Sequence, residues 1–240
     1  MSNRGLRVSS LGLAILVLGA ACSSGSSGAN GATGGSTSTE AAPPSTAPGT
    51  TAPGSPTSAS TTPGGSASSS TTIPPGYAPL AALMLTSVPR GLALAPDAIA
   101  DTGATNLAKA IQDAVASNAG DVLRSAGFVV GYQRSWADAD QAQHDDIFLY
   151  KFASAAGASK YVTGRVAELE SVNSQLSIST FPVLIAGAVG LHSQSATSSF
   201  GVVVFPKGVY VVEAVSTDAS TQDQSSNAVA LANAQLQRLP

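Results

Sequence analysis

The chain has 240 residues, of which only 10% are charged, and its formal net charge is −3. Ordinary globular chains carry roughly 25% charged residues. Here the 11 Lys and Arg are scattered singly, which excludes the clustered basic footprint of a nucleic-acid binder. The single cysteine, Cys22, excludes an internal disulfide.

Arg4 and Arg7 precede the apolar run Leu11–Leu18, which ends in the small residues Gly19, Ala20 and Ala21. That order predicts a secretory signal peptide over residues 1–21. Its core is too short to cross a bilayer as a helix, which takes about 20 residues. Loss of Arg4 and Arg7 moves the formal charge from −3 to about −5. After Cys22, residues 23–76 are almost entirely Ser, Thr, Gly, Ala and Pro, with Glu40 the one charge and Ile73 the one large apolar residue. Such a segment cannot bury enough apolar area to offset chain entropy, so a disordered tether is expected. A flexible coil of that length spans about 40 Å.

A single α+β domain is expected over residues 77–240, with a mostly antiparallel sheet of about five strands, two or three helices and two layers. Leu80, Leu83, Met84 and Leu85 predict one or two helical turns, and Arg90–Asp101 a surface wrap. From Thr105 the periodicity of Leu107, Ile111, Val115, Val122 and Leu123 predicts a kinked helix or two short ones, capped by a left-handed Gly127. Phe128–Trp136 and Ile147–Phe152 read as strands around an acidic loop, Ala137–Asp146. Ser154 opens a helix to about Ser171 with the stripe Ala158, Tyr161, Val162, Val166 and Leu169. Phe181–Ala186 and Ala188–Ser193 suggest a strand or a bent pair. Phe200–Phe205 and Val209–Ser216, joined by Pro206-Lys207-Gly208, predict the central hairpin, with Phe200, Val202 and Val204 on one face and Val203 and Phe205 on the other. Ser220–Asp223 has the outline of a capping box before a closing helix.

Two clusters carry candidate chemistry. Asp138, Asp140, His144, Asp145 and Asp146 could ligate a divalent cation, although their spacing fails the EF-hand pattern; the alternative is a solvated hairpin loop. Trp136, Tyr132 and Arg134 could contact a ligand or glycan if exposed; the alternative is packing at the sheet edge. His192 lacks the G-x-S-x-G context of a nucleophilic triad and reads as a strand-end side chain. Lys151 and Glu213 read as an exposed cross-strand pair. No catalytic residue and no cofactor is expected.

Cys22 directly after Gly19-Ala20-Ala21 resembles the lipobox of bacterial lipoproteins, with Gly19 where that family usually has Leu. The resemblance implies a diacylglyceryl thioether on Cys22, which becomes the N-terminus, and a place on the outer face of the cell membrane. With the Ser/Thr/Gly/Pro segment and the stretches GFVVGYQRSW and FPKGVYVVEAV, the chain resembles actinobacterial extracytoplasmic lipoproteins. Its strand order is similar to the Mog1/PsbP-like domains of mycobacterial lipoproteins. The extracellular domains of mycobacterial Ser/Thr kinases are a further comparison, but they typically carry disulfides. The long tether and the lack of any catalytic constellation lead to the expectation of a membrane-anchored, non-enzymatic binding or accessory module of the envelope, with a protein, glycan or lipid partner. The alternatives are a carrier of an apolar ligand and a metal-assisted envelope hydrolase.

Overall fold

Val, Phe and Tyr concentrate in residues 147–152 and 200–215, and these stretches become the centre of the fold. The structure, a computed structural model, describes residues 73–95, 102–114, 116–171 and 177–240. The expected signal peptide, Cys22 and most of the expected tether therefore lie outside the described residues.

The strands are β1 (Ala93–Leu94), β2 (Gly103–Thr105), β3 (Phe128–Ala137), β4 (Gln143–Phe152), β5 (Ser179–Phe181), β6 (Val189–Gln194), β7 (Ser199–Lys207) and β8 (Tyr210–Asp218). They form one sheet in the order β1-β3-β4-β8-β7-β6-β5, with β2 also on the outer edge of β3. Every pairing is antiparallel. The helices are α1 (Ala78–Leu83), α2 (Leu107–Asp113), α3 (Ala119–Ala126), α4 (Ala155–Ser171) and α5 (Ser225–Leu236), and a 3-10 turn, Pro75–Tyr77, precedes α1.

The described fold exceeds the expected five strands, and it has three layers, not two. Alternate residues of the central strands feed two separate cores, as a period of two requires. Phe148, Tyr150, Val202, Val204, Val211 and Val215 pack with Ala110, Leu123, Tyr161, Val162 and Leu169 of α2, α3 and α4. Ile147, Leu149, Val203, Phe205, Val212 and Ala214 pack with Leu80, Met84, Ala228, Leu231 and Ala232, from α1, α5 and the residue after α1. The closing helix thus covers the same face as the N-terminal segment.

Several boundaries move. β4 begins at Gln143, so the acidic stretch is mostly strand, with a turn of only residues 138–142. The apolar run 182–188 connects β5 to β6 and leaves Leu184 fully exposed. α5 starts at Ser225, after the expected capping box, where the Asp223 carboxylate accepts from the Ser225 N–H at 3.0 Å. A bulge between Phe128 and Val130 sends Phe128 to the α4 side while Val130, Tyr132 and Trp136 face α1. The Gly127 cap is left-handed, as expected, at φ 77°.

Candidate functional site

The long helix α4 organises both the buried charge and the open concavity of the domain. Ser154 caps it, its hydroxyl accepting from the Gly157 N–H at 3.0 Å. Its inward face carries Arg165 and Glu168 beside the expected apolar stripe. Arg165 Nε lies 3.2 and 3.1 Å from the two oxygens of Glu213 on β8, and its Nη1 donates to Glu168 at 2.7 Å. The Tyr161 hydroxyl donates to Glu213 at 2.7 Å, and the Ala116 N–H donates to Glu168 at 2.9 Å. Glu213 is 2% exposed.

A charge buried this far is tolerated when paired and hydrogen-bonded. Burial, the largest single influence, would lower the pKa of Arg165, but Glu213, Tyr161 and Glu168 together outweigh it and raise the pKa. Burial first, and Glu213 second, push the Tyr161 and Tyr150 hydroxyls well above the ordinary tyrosine range. Lys109 extends the polar layer, 2.5 Å from Asp113 and 2.8 Å from the Gln133 side-chain oxygen. A cavity of about 10 Å³ lies between Asp113, Tyr150, Tyr161, Arg165 and Glu213, enough for one water. This network seats α4 on the sheet. The expected Lys151–Glu213 pair does not form: Lys151 is in register with Tyr210, and Glu213 with Phe148 and Val204.

The outward side of α4 is different. Val162, Val166, Ala167 and Val189 with Pro206 line a groove of about 450 Å³, edged by the hydroxyls of Ser159 and Thr163 and by Glu170. That volume falls in the range of small-ligand sites, which combine apolar walls with a few polar groups. The sequence pattern placed Val166 in the core stripe. Its being only half-buried, next to exposed Ala167, is what opens the groove. A stripe one residue wider than a single packing face was the signal available in the sequence.

The sequence-predicted site residues are dispersed. Trp136 is 1% exposed and Tyr132 7%, both in the core under α1. Arg134 stacks over Tyr132, 5.7 Å from the ring centre, and donates to the Leu85 carbonyl at 2.6 Å. These three residues hold the N-terminal segment against the sheet.

The acidic cluster is likewise split. Asp145 and Asp146 are consecutive on β4 and point to opposite faces. Asp145 takes Arg90 at 2.7 Å and the Ser216 hydroxyl; Asp146 takes the Ser135 hydroxyl. Asp138 accepts from the N–H groups of Ala142 and Gln143, and the Gln143 bond first among them lowers its pKa. Asp140 is exposed in the turn, and the His144 ring meets the Gln141 carbonyl at 2.9 Å. Among the described residues no three metal-ligating side chains gather. His192 lies 3.1 Å from Asp223, whose same oxygen receives the Ser225 hydroxyl at 2.7 Å. The carboxylate thus sits between hydroxyl and imidazole, whereas a nucleophilic triad needs the imidazole in the middle.

No family model matches the chain, and no curated protein does. Solved structures are similar in part. One is the extracellular domain of PknH from Mycobacterium tuberculosis, at 9% identity and a TM-score of 0.40, over 57% of this chain and 79% of that one. No helix among the described residues is long and apolar enough to cross a membrane.

Proposed function

We propose that this chain is a cell-envelope lipoprotein, anchored through Cys22 on the outer face of the membrane, whose folded part is a non-enzymatic binding or accessory module. The observation that carries the binding reading is the groove along α4: aliphatic walls, two hydroxyls and one carboxylate on a helix seated by a buried ion network. Preorganised walls of this kind lower the cost of ordering on binding. The occupant best suited to them is an uncharged, amphipathic part of an envelope protein, glycan or lipid. A carrier of an apolar ligand calls for an internal cavity of several hundred Å³, and the space under α4 beside Glu213 is about 10 Å³.

Three measurements test this reading. Hydrogen exchange of the mature chain with fractionated envelope components should protect residues 159–170 and 187–189, and Val166→Arg should remove that protection. Reproducible hydrolase or transferase activity from the purified chain, abolished by a point substitution, would overturn it. Metabolic labelling with a fatty acid should mark the wild type and leave Cys22→Ser unlabelled; a labelled Cys22→Ser would end the anchoring.

A further inference from the structure

The two ends of the sheet differ in charge. At one end the turn 138–142 and the neighbouring strand and helix ends gather Asp138, Asp140, Asp145, Asp146, Asp218 and Asp223. At the other, three backbone and packing contacts bring four segments together. The Ala153 N–H donates to the Gly127 carbonyl at 2.9 Å, the Phe152 N–H to the Val209 carbonyl at 2.8 Å, and Gly187 packs against the Pro206 ring. The start of β3, the end of β4, the β7–β8 turn and the loop 182–188 therefore share this end.

Its accessible side chains are mainly basic and apolar, with Glu170 of α4 in the groove beside Gly187 and Pro206. Lys207 and Lys160 are exposed and Lys151 is half-buried; none of the three takes part in an ion pair among the described residues. Lys160 also donates to the Ser125 carbonyl at 3.3 Å, which holds it at the end of α3. The acid of α3, Asp121, is paired with Arg124 at 3.3 Å. Leu184 stands at the tip of its loop at 104% exposure, and the bulge in β3 turns Val129 outward at 55%. A fully exposed leucine at a loop tip, on an end of the sheet that also carries three lysines, combines the two forces that bring a protein to a charged bilayer, apolar insertion and attraction to anionic headgroups.

We propose that the end formed by Lys151, Lys160, Lys207, Leu184 and Val129 docks on an anionic phospholipid bilayer, with the acidic end facing away. A tethered domain meets the surface at high effective concentration, so a contact that is weak on its own is populated. This end shares Gly187 and Pro206 with the margin of the α4 groove, but the contact calls for lysines and Leu184 that do not line the groove, and it does not require acylation.

The test uses the mature chain carrying Cys22→Ser, so that no acyl chain contributes, with phosphatidylcholine vesicles containing or lacking one third phosphatidylglycerol. Co-sedimentation is expected with the anionic vesicles only, falling as salt rises. The triple variant Lys151→Gln, Lys160→Gln, Lys207→Gln should lower the partition coefficient on the order of 100-fold, about fivefold for each lysine. Leu184→Ser should lower it about tenfold. Circular dichroism of each variant should match the parent. No binding, equal binding to both vesicles, or an unaffected triple variant overturns the proposal. So does salt-sensitive dimerisation without vesicle binding, which would place the basic end on the acidic end of a second copy.

Discussion

The two faces of the sheet are buried to the same degree by different means. Under α4 the core includes Arg165, Glu168, Glu213, Asp113 and Tyr161, joined by hydrogen bonds and ion pairs. Under α1 and α5 the centre is aliphatic and aromatic: Val203, Phe205, Val212, Ala214 and Leu231 are all 0% exposed. There the polar ties sit at the rim. Gln235 bridges the Leu85 N–H and the Leu83 carbonyl, and Arg90 joins Asp145. An apolar interface accepts several registers at similar energy, whereas a buried guanidinium between two carboxylates accepts one. The comparison assigns α4 a fixed seat and the opposite helices a tighter dependence on packing volume.

The largest expected effect breaks that seat. Arg165→Ala leaves Glu213 and Glu168 buried without their cation and should cost about 3–5 kcal/mol in denaturant unfolding. The triple change Arg165→Met, Glu168→Gln, Glu213→Gln should recover much of the loss. If it recovered none, the ion network would be acting through packing alone. On the opposite face Gln235→Leu keeps the volume but strips the partners from Leu85 and Leu83, and should cost about 1–3 kcal/mol. A larger loss there than at Arg165 would reverse the contrast between the faces.

What could be read from the sequence follows the same division. The period-two faces of Phe200–Phe205, the capped helix from Ser154, the two short helices and the left-handed Gly127 all rest on local signals, and all are present. The failures are non-local. Asp145 and Asp146 looked like loop ligands because nothing in their neighbourhood reveals Arg90 or Ser135. Glu213 looked like half of a surface pair because its cation comes from a helix 48 residues earlier. Trp136 stayed open between an exposed platform and edge packing because the helix that covers its face precedes it by about fifty residues. The outward groove was hidden in a stripe whose outer member, Val166, is counted as core by periodicity alone.

Acid sharpens the contrast less strongly. Asp223 is held below the usual carboxylate range by the Ser225 N–H and hydroxyl, and Asp138 chiefly by the Gln143 N–H. A lowered folded-state pKa contributes stability that is complete above the ordinary value of 3.8 and is lost as pH falls through the lowered one. The denaturation midpoint should therefore decline below about pH 4, and Asp223→Asn should flatten part of that decline. An unchanged slope in that variant would show that other carboxylates dominate the acid limb.

The smallest effect has the opposite sign and concerns the edge of the polar face. Thr105 on β2 is 0% exposed, and its hydroxyl has no hydrogen-bond partner among the described residues, while its Cβ occupies the space that a side chain at Gly131 would need. Thr105→Val keeps the shape and the β-branch and removes only the unsatisfied oxygen. Burying a hydroxyl without a partner is unfavourable, so the variant should match the parent or exceed it by about 1 kcal/mol. A loss of that size would mean that an ordered water satisfies Thr105, and the polar layer under α2 would then reach the sheet edge. Either outcome separates the two kinds of polarity on this face: groups like Arg165, whose removal strands a partner, and groups like Thr105, whose removal strands nothing.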